Sequence, residues 1–149
     1  MSLSRKENTR TMAAVDFIPS ALGTALRDGC PELVFALLLG SARDGHVPPG
    51  GDLDLAVSTQ RGLSLALAER ITAVAQGIVP GVDIDLGCFD RAEPVYRFEA
   101  LKGRLLFARD QERFLDAFSR TCREYESQIW DYQRQAGYRL ERQKELANR

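Results

Sequence analysis

Nowhere in this 149-residue chain is there an apolar run of the roughly 20 residues that a membrane-spanning helix needs. The opening stretch, Met1 to Asn8, also lacks the apolar core of a signal peptide, so a cytoplasmic protein with no membrane contact is expected. Charge of one sign is missing too. Twenty Lys and Arg face 21 Asp and Glu, for a formal net charge of −1, and with pI near 5.9 there is no basic footprint that would imply direct nucleic-acid binding. Cys30, Cys88 and Cys122 are odd in number and widely spaced, which excludes zinc-finger and redox motifs and leaves reduced, mostly buried thiols. The one histidine, His46, sits in a Gly/Pro-rich loop and reads as a surface residue. Internal repeats, low-complexity tracts and linkers are likewise missing. With 44% hydrophobic and 28% charged residues, the composition is that of a single globular domain over 1–149.

Apolar periodicity predicts an alternation of helix and strand, closed by a long helix. Residues 1–14 read as a flexible polar leader, 15–110 as an α/β core and 111–149 as a helical extension. Leu22, Ala25 and Leu26 recur at helical spacing between Phe17 and Arg27, before Asp28-Gly29 and Pro31 end the helix. Leu33 to Leu39 is a continuous apolar run ending at Gly40, the mark of a buried central strand. Further strands are predicted over Asp52 to Val57 and Val82 to Phe89, with a brief strand or extended piece at Arg104 to Phe107. Leu67, Ile71 and Val74 make Leu63 to Ala75 an amphipathic helix, and Pro94 to Leu101 is a short one. From about Gln111 onward, Phe114, Phe118, Tyr125, Ile129, Tyr132, Ala136 and Leu140 recur at threes, fours and sevens. That seam runs further than a small sheet needs for its own cover, and Trp130 and Tyr138 fall off it, so the helix also offers a surface for a partner or a second copy. The fold class is therefore α/β (α+β): a small mixed sheet flanked by helices, with a long C-terminal helix.

The chemistry concentrates in two acidic pairs. Leu39-Gly40-Ser41 is followed by Asp52-Leu53-Asp54-Leu55-Ala56-Val57, and a second pair stands in Val82-Asp83-Ile84-Asp85-Leu86. Residues two apart on a strand share a face, so Asp52 and Asp54 present two carboxylates side by side while Leu53 enters the core. Like charges this close repel, and divalent cations relieve the repulsion; oxygen donors of this kind suit magnesium. The second pair supplies a third ligand, and alternation places Asp83 and Asp85 equally well. Carboxylates on neighbouring strands beside a small-residue turn point to metal-assisted phosphoryl or nucleotidyl transfer.

Gly40-Ser41, the spacing to Asp52-x-Asp54 and the later strand aspartate resemble the nucleotidyltransferase fold shared with DNA polymerase β. The segment Arg91-Ala92-Glu93-Pro94-Val95-Tyr96, continuing to Phe107, looks like the minimal nucleotidyltransferases, the MntA-type antitoxins paired with HEPN-domain toxins. The resemblance covers roughly Phe17 to Phe118. It implies transfer of AMP from ATP to a hydroxyl of a protein acceptor, a HEPN toxin, with two magnesium ions held by Asp52, Asp54 and Asp85. Counting back from Arg91-Ala92 favours Asp85 as the third ligand, with Asp83 second. Gly40, Ser41 and Arg43 would bind the triphosphate. Two positions depart from the family pattern: Asp44 stands where a basic residue is usual, and Gly51 where a serine is common. They leave open an alternative, an antitoxin that neutralises a HEPN ribonuclease by contact with little or no catalysis. A small-molecule nucleotidyltransferase like the aminoglycoside enzymes is disfavoured by the short chain.

Overall fold

The computed structural model describes residues 13–148. Of the leader expected at the start, positions 1–12 lie outside the described residues. A four-stranded mixed sheet forms the centre, built from β2 (Leu33–Leu39), β4 (Asp52–Thr59), β5 (Asp83–Cys88) and β6 (Arg104–Ala108) in the order β5-β4-β2-β6. Two short strands, β1 (Val15–Asp16) and β3 (His46–Val47), pair antiparallel beside it and were not foreseen, since two residues carry no periodicity. The helices are α1 (Pro19–Gly29), α2 (Leu65–Ile78), α3 (Pro94–Leu101) and α4 (Gln111–Ala147).

The central strand β2 is apolar at every position because both of its faces are covered. On one face Leu33, Ala36 and Leu38 pack with Leu53, Leu55 and Val57 of β4, beneath Leu22 and Leu26 of α1 and Leu67, Ile71 and Ala75 of α2. On the other, Phe35, Leu37 and Ala56 meet Phe89, Ala100 of α3 and the start of α4 through Phe114 and Ala117. Phe35 is the hub of this second cluster, in edge-to-face contact with Phe89 and Phe114, each at 5.1 Å between ring centroids. The α2 crossover lets β4 and β5 run parallel, with Asp52 beside Asp83 and Asp54 beside Asp85. Both acidic pairs therefore lie on the α3/α4 face, at the end of the strands that those helices leave open.

Helix α2 begins at Ser64, whose hydroxyl accepts from the Leu67 amide, and α4 begins at Asp110, whose carboxylate accepts from the Arg113 amide. The first half of α4 is part of the domain. Thr121 is fully buried, Phe98 of α3 stacks on Tyr125 at 3.9 Å between centroids, and Arg97 is ion-paired with Glu124. Beyond Tyr125 almost every side chain is exposed, including Trp130, Tyr132, Tyr138, Leu140 and Leu146. The thiols follow the expectation in part: Cys30 is buried and Cys88 and Cys122 are half-buried, all three unbridged. No helix among the described residues is long and apolar enough to cross a membrane.

This division of α4 has a measurable consequence. Ending the chain after Gln128 leaves the thermal midpoint close to that of the full chain. Ending it after Thr121 removes the Tyr125 stack and the Glu124 ion pair and lowers the midpoint, by roughly 2–8 °C for each kcal/mol lost. Thermal unfolding of the two truncated proteins beside the full chain checks it.

Candidate active site

The site begins where β2 ends. Leu39 is paired with Asp54 across the ladder, and the chain then turns through one short 3-10 segment, Gly40–Asp44. Gly40 holds φ at +69°, and a Cβ there would lie 3.0 Å from Oδ2 of Asp54. Position 40 favours glycine for its left-handed backbone, and the missing Cβ lets the turn sit close to the carboxylate. Ser41, one residue further, is exposed at the front of the turn.

The turn is anchored by arginines. Arg43 donates from Nε to the Gly40 carbonyl at 3.1 Å and from Nη1 to the Lys102 carbonyl at 3.2 Å, while Arg104 donates to the carbonyl of Arg43 at 2.9 Å. Expected as a phosphate contact, Arg43 is thereby engaged in tying the Gly-Ser turn to the α3–β6 connection, with part of its guanidinium left over. Asp44 is exposed at the end of the turn and does not line the site cavity. Gly51 has a packing reason: a Cβ there would lie 3.0 Å from the Pro48 carbonyl oxygen.

The acids are unequal. Asp54 is half-buried, whereas Asp52, Asp83 and Asp85 are exposed. Burial raises the Asp54 carboxyl above its ordinary value, the Asp85 charge raises it further, a side-chain hydrogen bond with Asp85 favours its protonated form, and the Asp52 charge adds to the same effect. Asp54 and Asp85 are the pair the fold brings together, and Asp52 contributes charge from the strand end. Among the described residues no three acidic, histidine or cysteine side chains converge as a ready metal-holding group. That donor set still fits magnesium, which is held by one or two carboxylates completed by water and substrate phosphates.

Beside the pair lies a cavity of about 410 Å³, lined by Leu39, Asp54, Asp85, Gly87, Cys88, Ala92 and Tyr96. Tyr96 and Gly87 were not among the site residues foreseen from sequence. The signal was there: Gly87 follows Asp85 by two on β5 and so shares its face, and Tyr96 sits in the first turn of α3. The Tyr96 hydroxyl also has a raised pKa, from burial first and then from Asp85 and Asp54.

No protein-family model matches the chain, and no curated protein matches it. Solved structures do. A toxin–antitoxin structure with AMP-PNP superposes with a TM-score of 0.61 at 25% identity, over 79% of this chain and 93% of that one. An MntA–HepT toxin–antitoxin structure gives 0.56 at 24%, over 79% and 91%. Tri-AMPylated HEPN toxin from Shewanella oneidensis in complex with MNT antitoxin gives 0.56 at 23%, over 80% and 94%.

A carboxyl whose folded pKa lies above its unfolded value destabilises the fold while ionised, and protonation removes that penalty. Without divalent cations, Asp54→Asn therefore unfolds at a higher temperature than the parent at pH 7. The gap narrows as pH falls through the raised value toward the ordinary 3.8. Thermal melts across that pH range measure it.

Proposed function

With the fold of the MNT antitoxins as premise, we propose that the chain is a nucleotidyltransferase that moves AMP from ATP onto a hydroxyl of a HEPN toxin and so acts as its antitoxin. The observation that carries this reading is the abutment of the Gly40-Ser41 turn on Asp54, itself paired with Asp85, which sets a small-residue turn of the kind that suits phosphate beside acidic donors. The AMP-PNP and tri-AMPylated neighbours support the nucleotide and the acceptor class.

The roles follow from position. Gly40 lets the backbone approach the triphosphate, and Ser41 donates its hydroxyl and amide to a phosphate oxygen. Arg43 holds the turn and offers its remaining N–H groups to the same charge. Asp52, Asp54 and Asp85 would hold magnesium, two ions in the full reading with Asp83 as second choice, and the bound metal would neutralise the triphosphate and the departing pyrophosphate. The acceptor oxygen forms its bond to the α-phosphorus, the bond to the bridging oxygen breaks, pyrophosphate leaves, and Asp85 takes the hydroxyl proton. Little covalent work falls to the protein, so orientation and charge dominate the rate. The exposed distal half of α4 gives the partner, or a second copy of the chain, its surface.

A second reading, neutralisation by contact alone, draws on one observation: among the described residues no three acidic, histidine or cysteine side chains converge as a ready metal-holding group. Activity separates the two. Incubation with α-labelled ATP, magnesium and a HEPN partner labels the partner, and Asp52→Asn or Asp85→Asn abolishes the label while the complex persists. A partner neutralised without any label supports the contact reading instead. Ser41→Ala weakens ATP binding by about 1–2 kcal/mol, the scale of one hydrogen bond to a charged group, which calorimetry reads directly.

A further inference from the structure

Tyr96 is held in the site from both sides. Its neighbours in sequence are pinned to α4, Arg97 by the Glu124 ion pair and Phe98 by the Tyr125 stack, so the first turn of α3 is not free to swing. Its ring crosses from α3 to β5, where the hydroxyl lies over Gly87 so closely that a Cβ at position 87 would overlap it. Gly87 has ordinary strand backbone, so the glycine is needed for space and not for conformation. Asp85 stands two residues before Gly87 on the same face of β5, at the acid end of the cavity. Tyr96 lines the cavity and is 37% exposed, so part of the side chain meets solvent. The remaining wall comes from Leu39 and Ala92 with the Cys88 thiol beside them.

A transfer site that opens beside its proton acceptor faces a competing nucleophile. Water can attack the α-phosphorus in place of the acceptor, releasing AMP and pyrophosphate and giving its proton to Asp85 or solvent. Protein at the mouth suppresses that side reaction by keeping water out. We propose that Tyr96 is a specificity-determining wall on the acceptor side, seated against Gly87, that favours a hydroxyl carried on a protein over water. This rests on the nucleotidyltransferase reading above.

The test uses the full chain with magnesium and ATP and no protein acceptor, following AMP and pyrophosphate. Tyr96→Ala releases AMP severalfold faster than the parent with its KM for ATP unchanged. Tyr96→Phe, which keeps the ring, restores the low rate. Gly87→Ala pushes the ring from its seat and behaves like Tyr96→Ala, and it carries the test alone if the Tyr96→Ala protein does not fold. AMP release at or below the parental rate in Tyr96→Ala, with ATP still bound by calorimetry, overturns the proposal. Equal leakiness of Tyr96→Phe and Tyr96→Ala overturns it too. A parent that binds no ATP overturns the nucleotidyltransferase reading and this proposal with it, and calorimetry on the parent tells that failure from the others.

Discussion

Crowded carboxylates at the open end of two parallel strands are the constraint around which the rest is arranged. Parallel pairing sets Asp52 beside Asp83 and Asp54 beside Asp85, so four acids share one face within two residues of strand. Three of them relieve their mutual repulsion in solvent. Asp54 cannot, because it is half-buried under the Gly40 turn, and its carboxyl is driven upward by that burial and by Asp85. Nothing in folding calls for such an arrangement; a serine or asparagine at position 54 would avoid the repulsion. Under the proposed function, a cation-bearing nucleotide would supply what the fold withholds.

The scaffold serves that corner by dividing one sheet face in two. Its inner part is sealed by Phe35, Phe89 and Phe114 under α3 and α4, and this aromatic cluster fixes the height of both helices above the strands. Its outer part is left open, bounded by Leu39, just before the Gly40-Ser41 turn, on the β2 side and by Tyr96 on the β5 side. Arg43 and Arg104 then lock the turn to the α3–β6 connection, so both edges of the site are referred to α3. The same helix is braced on α4 through Arg97 and Phe98. The site is consequently linked through α3 to the packed half of α4.

Elements with strong periodicity were legible from the residues. Strand β2 spans Leu33–Leu39 and α3 spans Pro94–Leu101, each as the apolar run and the proline define it. The seam beginning at Gln111 marks α4 over its full extent. Boundaries shifted by a few residues where capping decides them: α1 starts at Pro19 rather than Phe17, and α2 at Leu65 behind the Ser64 cap rather than Leu63. The acidic pairs and the Gly-Ser turn were visible as motifs because their spacing is local. Gly87 carried a local signal two residues after Asp85, but the seating of Tyr96 against it and the Lys102 carbonyl partner of Arg43 did not, since each depends on a contact between segments distant in the chain. That α4 outruns the sheet was legible in the length of its seam, but the point near Tyr125 where packing gives way to exposure was hidden, because one unbroken seam passes through both parts.

The central claim is that this acid-rich corner is where a cation and a nucleotide meet. The direct measurement is the thermal midpoint of the chain with magnesium alone, with ATP alone and with both, since a ligand that binds only the folded state raises it. The two together are expected to raise the midpoint well beyond the sum of the separate effects, because ATP alone adds charge to a site already crowded with carboxylates. An equal shift with ATP whether or not magnesium is present would contradict it.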